Sequence, residues 1–313
     1  MKALVRLWLP VFILRETESL EDKPFVLAYA GYSSPQRKYM AQRLFGRKAF
    51  KTKYLKTRFF WQLMSRRRRM NLKADVLIAE VSFLTIGFFL KREGYVIPEF
   101  VDMKIHIRDP IAILKKRMGS DFSDVERLIR KYHWKYSVTR DMKAYHDFFF
   151  EMHLPYIKLR YPERAIIPTY HQFQEACRSA FLLHLHRDDS PVAGILVVLD
   201  KDRIALNRLG IKGANIDYLK QGAIGAMYYF SILECQKMGY NELWLGGTYP
   251  FLNDGLTKYK IRMNGEFILN YEKSRNHLWI LSSDSESARQ FFGRNPFVCV
   301  GRDRKLRKTM YSY

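Results

Sequence analysis

The fold is decided by residues Gly239 to Phe267, which read GYNELWLGGTYPFLNDGLTKYKIRMNGEF. A strand is predicted at Glu242 to Gly246, followed by a glycine pair, an Asn-Asp-Gly turn and a short basic segment. Upstream, Ile216 to Met238 is predicted as one long helix, because its apolar residues recur every three or four positions. These residues are Leu219, Ala223, Ala226, Phe230 and Leu233. A helix, a strand and a glycine-rich corner dense in polar side chains therefore follow one another.

The composition predicts a globular chain with a polyanionic partner. Its 313 residues are 48% hydrophobic and 15% aromatic, which suffices for two domains or for one large domain with an extension. Lys and Arg number 54 against 31 Asp and Glu, a net charge of +23. Solubility needs far less charge, so we expect RNA, phospholipid head groups or a phosphorylated substrate as the partner.

The positive charge is concentrated near the amino terminus. Residues 23–74 contain fifteen Lys and Arg and no Asp or Glu, and aromatic residues are interleaved with the cations. Thr57 to Met70 is predicted as a helix that includes the run Arg66, Arg67, Arg68 and Arg69. Cations that hold phosphates beside rings that stack on bases or enter a lipid interface suit RNA or an anionic membrane. The alternative is a helix with its aromatics in the core and its basic face in solvent.

The cysteines and the apolar segments favour a cytoplasmic protein. Cys177, Cys235 and Cys299 are scattered singly and predict neither a disulfide framework nor a Cys-x-x-Cys metal site. His184 and His186 share one face of a predicted strand, but no third ligand stands at a recognisable spacing, so no metal is predicted. The apolar run Trp8 to Leu14 is predicted as a first strand rather than a leader, and no transmembrane segment is predicted.

A loose join at Met118-Gly119-Ser120 divides the chain into two predicted parts. Residues 1–119 form an amino-terminal α/β half that contains the basic segment, and residues 120–313 form the second domain. Within the second domain, three strands are predicted to alternate as an antiparallel meander joined by polar turns. These strands are Phe181 to His186, Val192 to Leu199 and Arg203 to Leu209.

The second half resembles the FemAB-like branch of the GNAT acyltransferases, the peptidoglycan-bridge aminoacyltransferase-like family. The resemblance is carried by RIALNRLG (203–210), the helix after it, ELWLGGTYPFLND (242–254) and GLTKYKIRMNG (255–265). It implies an α/β (α+β) fold with a twisted mixed, largely antiparallel sheet flanked by helices. It also implies transfer of an acyl or aminoacyl group to an amine. Whether residues 1–119 form a second, degenerate GNAT-like half or an accessory layer stays open.

The resemblance leaves two donors open. GNAT proteins hold the pyrophosphate of coenzyme A on backbone N–H groups in a glycine loop at the start of the long helix. In this chain the glycines of the corresponding stretch, residues 218–226, do not have that spacing. FemAB-like enzymes depart from the pattern too and take an aminoacyl-tRNA, which the basic segment would suit. Acyl-CoA or aminoacyl-tRNA is therefore the expected donor substrate, with Lys220, Gln221 and Gly222 as candidate donor-binding residues.

The candidate catalytic residues are Asp254, Lys260 and Tyr259. Asp254 would orient the attacking amine or take its proton, or it is simply the N-cap of the next helix. Lys260 would bind the oxyanion or a substrate phosphate, or it is a solvated lysine at a helix end. Further residues are candidates for substrate contact, with core packing, surface charge or plain turn formation as the alternatives. They are Tyr156, Arg160, Tyr161, Tyr249, Gly247 and Gly255.

Together these observations predict a cytoplasmic N-acyltransferase, peripheral at the inner face of the membrane, that acts on an amine of a cell-envelope or polysaccharide precursor. The expected partners are a polyanion (tRNA, a phosphorylated lipid-linked precursor or an anionic membrane surface) and a small amine acceptor. The alternative is a non-catalytic RNA- or membrane-binding protein on the same scaffold. The sequence has no P-loop, dinucleotide fingerprint, His-Glu-x-x-His or Gly-x-Ser-x-Gly, which disfavours the enzyme classes that those motifs define.

Replacing Arg66 to Arg69 together by Gln tests the polyanion prediction. Each phosphate contact releases counterions, so the variant should bind RNA or anionic vesicles with a weaker dependence on salt concentration. Affinity measured across a series of salt concentrations gives the slope for both proteins. An unchanged slope would exclude these arginines from the contact.

Overall fold

The computed structural model describes residues 7–17, 25–46, 49–65, 71–82, 84–160, 167–200, 203–269, 276–283 and 285–309. The strands are β1 (Trp8–Glu16), β2 (Val26–Ala30), β3 (Phe50–Phe59), β4 (Val76–Ser82), β5 (Tyr95–Pro98), β6 (Val101–His106), β7 (Lys135–Thr139), β8 (Ala180–Arg187), β9 (Ser190–Asp200), β10 (Arg203–Ile211), β11 (Glu242–Thr248), β12 (Glu266–Ile268), β13 (Asn276–Ser282), β14 (Val298–Val300) and β15 (Leu306–Lys308). The α-helices are α1 (Ser34–Phe45), α2 (Phe60–Met64), α3 (Ile86–Phe89), α4 (Ile111–Tyr132), α5 (Met142–Asp147), α6 (Leu154–Arg160), α7 (Tyr170–Cys177), α8 (Ile216–Lys220), α9 (Ala223–Lys237), α10 (Gly255–Arg262) and α11 (Glu286–Arg294). A π-helix (Phe148–His153) joins α5 to α6, and a 3₁₀ turn (Lys212–Ala214) precedes α8.

The chain forms two compact units. The first comprises residues 1–101, 248–258 and 268–313, and the second comprises residues 102–247 and 259–267. Each unit is assembled from separate segments of the chain, whereas the boundary predicted at residue 119 divides the chain into two continuous parts. That boundary stays a prediction. Gly119 lies at a kink within α4, where its φ is 66°.

The first unit contains a six-stranded sheet in the order β3-β1-β2-β4-β13-β5. Every residue of β2 is buried, as expected for a central strand with both faces covered. Helix α1 begins at the N-cap Ser33, whose hydroxyl accepts a hydrogen bond from Gln36 N, and it buries Tyr39 and Met40. The sheet therefore lies between two apolar layers, one of them formed with α1 and α11.

Two predictions for the first unit are wrong. Thr57 to Phe59 are not helical: they end β3, which pairs with β1 from Trp8 opposite Phe59 onward, and the helix that follows spans only Phe60–Met64. Residues 66–70 lie outside the described part of the chain. The sequence also predicts a strand at Phe297 to Val300 that closes the sheet, but β14 pairs with β15 in a separate two-stranded sheet. In both places tertiary pairing overrides a local propensity.

The second unit contains a seven-stranded sheet in the order β12-β6-β11-β10-β9-β8-β7. Strands β8 to β10 form an antiparallel meander, as predicted, and β7 pairs antiparallel with β8, whereas β10 and β11 are parallel. A parallel pair requires a crossover, and α8 and α9 supply it. One face of the sheet packs against α4 and α9, and the other packs against α5, the π-helix and α7.

The predicted single helix from Ile216 to Met238 is interrupted at Gly222. This residue has φ 83°, in the left-handed region, and separates α8 from α9. A Cβ at this position would lie 2.7 Å from Leu128 Cδ1, so the close packing of α4 adds a second requirement for glycine. The predicted buried face of the helix nevertheless exists, since Ala223, Ala226 and Phe230 are buried.

The prediction of a mixed, largely antiparallel sheet flanked by helices is thus confirmed, with one such sheet in each unit. Among the helices that the structure describes, none combines the length and the apolar character needed to cross a bilayer.

Gly210 in β10 supplies a test of the packing of the second unit. A Cβ at this position would lie 2.5 Å from His153 N and 2.6 Å from Met152 C, both backbone atoms of the π-helix that cannot move independently. We expect Gly210→Ala to lower the free energy of unfolding by about 3 kcal/mol. The control is Gly87→Ala, where nothing lies within 4 Å of the added Cβ. Urea unfolding of both variants measures the difference, and equal stabilities would refute the tight contact.

Candidate functional site

The two parallel strands at the centre of the second unit pair at one residue only, and their carboxyl-terminal parts lie beyond this ladder. β10 and β11 are described at every residue, and their parallel register contains one pair, Ala205 opposite Trp244. Beyond this pair β10 continues to Ile211, bonded to β9 on its other edge. Backbone groups on the inner edges of the two strands therefore leave the ladder and become available to a ligand.

A bulge in β10 marks the place where the strands separate. The register with β9 shifts between Leu206 and Arg208, so Asn207 is the additional residue on its strand. Asn207 is exposed although β10 is an internal strand, and Gly247 on β11 is exposed as well. Residues on the internal strands of a sheet are usually covered, so the exposure of Asn207 and Gly247 is consistent with a cleft between β10 and β11.

Lys260 holds the end of β11. It is 2% exposed, and its Nζ donates hydrogen bonds to the carbonyl oxygens of Gly246 and Gly247, each at 2.9 Å. Gly246 has φ 75°, and a Cβ there would lie 3.2 Å from Leu206 O. Lys260 is thus buried rather than solvated, and its ammonium group fixes the backbone of the glycine pair at the point where β11 leaves β10.

The start of α9 adjoins the loop that carries the predicted donor-binding residues. Gly222 is the N-cap of α9 and has no side chain with which to cap it. The side-chain oxygen of Gln221 accepts a hydrogen bond from Arg187. The backbone carbonyl of Gln221 accepts a second hydrogen bond, from Trp134 Nε1 at 3.1 Å. Lys220 is exposed and lies 3.8 Å from Asp217 in an ion pair. A fifteen-residue helix therefore begins here with its backbone N–H groups directed toward the loop.

Tyr259, Tyr156 and Arg160 occupy different environments within the second unit. Tyr259 packs edge-on against Tyr228, with ring centroids 5.3 Å apart. Tyr156 is 5% exposed and belongs to the apolar core, whereas Arg160 is exposed at the end of α6. Tyr161 lies outside the described residues. The structure brings together Lys260 and Gly247 by direct contact, and it leaves the contacts of Tyr156 and Arg160 with substrate as predictions.

Asp254 and Tyr249 belong to the first unit. Asp254 Oδ1 accepts a hydrogen bond from Leu256 N at 3.1 Å at the start of α10, so the predicted capping interaction is confirmed. Its other oxygen lies 3.5 Å from Arg43 Nη2 in an ion pair. Tyr249 stacks on Tyr39, with ring centroids 3.7 Å apart. Gly255 is the exposed first residue of α10. Arg66 to Arg69 lie outside the described residues.

Two groups near the cleft were missed by sequence reasoning. Asn207 lies within the stretch RIALNRLG, but a bulge has no sequence signature that would have singled it out. His153, in the π-helix, is 3% exposed, and its Nδ1 lies 2.8 Å from Leu209 O. Burial lowers the pKa of His153 to about 4, so the ring is neutral at pH 7 and donates its Nδ1 proton to this carbonyl.

The described residues contain no group of three or more His, Cys, Asp or Glu arranged to hold a metal ion. His184 and His186 lie on β8 with ring centroids 6.1 Å apart. Burial lowers the pKa of His184 to about 4, with the neighbouring His186 as a second cause.

Comparison with known proteins gives structural matches only. No protein-family model and no curated protein sequence matches the chain. FemX is similar in structure, with a TM-score of 0.46 at 13% identity, over 90% of this chain and 85% of that one. L-PGS from Bacillus licheniformis has a TM-score of 0.44 at 7% identity, over 90% and 84% of the two chains. A GCN5-related N-acetyltransferase from Kribbella flavida has a TM-score of 0.29 at 12% identity, over 85% and 84%.

FemX and a GCN5-related N-acetyltransferase are thus among the structures to which this chain is similar, which is the resemblance that the sequence predicted.

Lys260→Met tests the role of the buried ammonium group. Both glycine carbonyls would lose a charged donor inside the protein, so we expect the free energy of unfolding to fall by about 2–4 kcal/mol. Lys258→Met, an exposed change two residues earlier on the same helix, is the control and should stay within about 0.5 kcal/mol. Chemical unfolding of both variants makes the comparison. A loss as small as that of the control would show that the lysine does not hold the glycine pair.

Proposed function

We propose that this chain is an N-acyltransferase that moves an acyl or aminoacyl group onto an amine of a cell-envelope or polysaccharide precursor in the cytoplasm. The single observation that carries the proposal is the separation of β10 and β11 beyond Ala205 and Trp244, close to a bulge at Asn207. Ligands of parallel sheets bind at the carboxyl ends of the strands, and this is the end at which the two strands separate.

The exposed strand edges suit an extended donor. A ligand arm that carries amide groups can bond to the backbone of β10 on one side and of β11 on the other, as an added strand does. Asn207 and Gly247 are exposed on these two strands, so the space between them is accessible. Lys260 would act through the backbone, since its ammonium group is bonded to the carbonyl oxygens of Gly246 and Gly247. We therefore regard it as a positioning residue.

The chemistry requires few side chains. The amine loses a proton, and its nitrogen then forms a bond to the carbonyl carbon of the donor. The bond from that carbon to the ribose oxygen of tRNA, or to the sulfur of coenzyme A, breaks as the leaving group takes up a proton. The tetrahedral intermediate carries an oxyanion, which backbone N–H groups released from the ladder can stabilise. Tyr259, in the same unit as these strands, remains a candidate for handling the amine and its proton.

The donor would place its phosphates near the start of α9. Helix N-termini bind anions through free N–H groups and the helix dipole, and the exposed Lys220 adds a positive charge to this loop. Gly222, with its left-handed backbone, lets the loop turn directly into the helix. Acyl-CoA and aminoacyl-tRNA both offer phosphates, and the net charge of +23 favours the larger polyanion.

The rival function is binding of RNA or an anionic membrane without catalysis. It is favoured by β3, an edge strand on which Lys51, Lys53 and Lys56 are exposed together with Tyr54. Lysines on an edge strand also prevent pairing with other chains, which explains the same residues without a ligand. A measurement of catalytic turnover distinguishes acyl transfer from binding without catalysis.

Transfer is tested with purified protein, labelled aminoacyl-tRNA or acyl-CoA, and a panel of amines related to envelope precursors. In the active protein, Asn207→Trp should lower kcat/KM by about a hundredfold, because an indole between the strands displaces the donor carbonyl. Asn207→Ala keeps the space open and should retain most of the activity.

Two results would contradict the proposal. One is the absence of transfer from either donor class by protein whose fold is verified by circular dichroism. The other is an equal activity of the Trp and Ala variants, which would place the chemistry away from these strands.

A further inference from the structure

An unbroken series of aromatic contacts crosses the first unit and reaches solvent at several points. Successive ring centroids lie 5.2 Å apart for Trp8 and Phe59, 5.4 Å for Phe59 and Phe60, 4.2 Å for Phe60 and Trp61, and 5.4 Å for Trp61 and Phe88. Phe60 is buried, but Trp8 is 57% exposed, Trp61 45% and Phe88 54%. Water-exposed rings arranged in one connected group are typical of an interaction surface.

Helix α3 anchors one end of this series. Its Ile86 and Phe89 are buried in the core of the first unit, whereas Phe88 points outward and Leu84, just before the helix, is 64% exposed. A short element with apolar residues on both faces requires an apolar environment outside as well as inside. The side of α3 that faces the core packs against other apolar residues of the first unit, and the opposite side faces water in the isolated chain.

A cationic cavity of about 500 Å³ adjoins α3, because Gly87 of that helix lines it. Its other lining residues in the described part of the chain are Leu90, Lys91, Arg302 and Arg304, and none of these residues is a carboxylate. Lys91 and Arg302 are exposed, and within the described part of the chain neither forms an ion pair. The exposed Lys91 and Arg302 repel each other across the cavity, and an anion bound between them would offset this repulsion.

We propose that the first unit docks on an anionic phospholipid surface. The cavity takes the phosphate of a lipid head group, while Trp61, Leu84 and Phe88 enter the interfacial region of the bilayer. Trp and Phe are favoured at this depth, and cations near an anionic membrane contribute to binding. The proposal is independent of acyl transfer, because it concerns binding by a different unit of the chain.

The same mixture of rings and cations occurs in proteins that bind single-stranded RNA, but the geometry favours lipid. Bases stack on open ring faces. The Trp61 and Phe88 rings meet edge-on at 79°, an arrangement in which the edge of one ring covers a face of the other. Leu84, an exposed aliphatic side chain, has no face on which a base could stack. A lipid interface accepts all three side chains.

Vesicle binding by the full chain tests the proposal at physiological salt. Phosphatidylcholine vesicles with and without phosphatidylglycerol are compared by co-sedimentation. Lys91→Gln combined with Arg302→Gln should weaken binding to the anionic vesicles about 25-fold, since each basic residue near such a surface contributes roughly a fivefold factor. The control, Lys116→Gln combined with Lys143→Gln, removes the same charge from exposed sites of the second unit and should change binding much less.

The aromatic contribution is tested separately. Phe88→Ser should weaken binding to anionic vesicles about tenfold, whereas Phe150→Ser, a change at another exposed ring, should not. The same variants are titrated with glycerol phosphate and with single-stranded RNA. If the cavity variant loses glycerol phosphate binding but both variants bind vesicles normally, the cavity serves a free phosphate compound and the membrane proposal fails. If Phe88→Ser weakens RNA binding and leaves vesicle binding unchanged, the surface is an RNA site and the proposal fails.

Discussion

One buried ammonium group shapes the centre of the second unit. A charge inside a protein is costly unless it is well bonded, and the ammonium group of Lys260 donates hydrogen bonds to two backbone carbonyls. Those carbonyls belong to Gly246 and Gly247, where β11 stops pairing with β10. These hydrogen bonds join α10 to the end of β11, beyond the one residue pair that β11 forms with β10. The proposed chemistry depends on the backbone that lies beyond this pair.

This arrangement explains why the site has a faint sequence signature. An acyl transfer by direct attack needs a positioned carbonyl and donors for the oxyanion, and backbone N–H groups can supply the latter. Such groups are present in every residue except proline, so their use leaves no characteristic side chain. The residues that the geometry does require act on the backbone: a glycine with positive φ at 246, a bulge at Asn207 and a buried lysine at 260.

The positive charge of the chain has more than one structural setting. On β3 the lysines lie along the edge of a sheet, where they discourage pairing with other strands and need no ligand. Around the cavity beside α3, by contrast, the exposed Lys91 and Arg302 face one space, where a bound anion would offset their repulsion. Net charge alone predicts a polyanionic partner but does not distinguish these settings, because it contains no information about which cations share a surface.

The amino-acid sequence by itself determined the parts of the fold that depend on short-range patterns. The alternating meander of β8 to β10 and the cap at Asp254 follow from neighbouring residues, and the structure contains them. The order of elements that resembles FemAB-like proteins is local in the same sense.

Only the tertiary structure decided the features that join distant segments. Position 222 requires glycine partly because Leu128 occupies the space beside it, and Thr57 to Phe59 extend β3 because β1 is available as a partner. Burial of Lys260, exposure of Asn207 and the series of rings from Trp8 to Phe88 likewise arise from contacts between segments far apart in the chain. Sequence periodicity reports which face of an element is apolar. It does not report which other element that face meets, and in this protein that choice forms both the cleft and the cationic cavity.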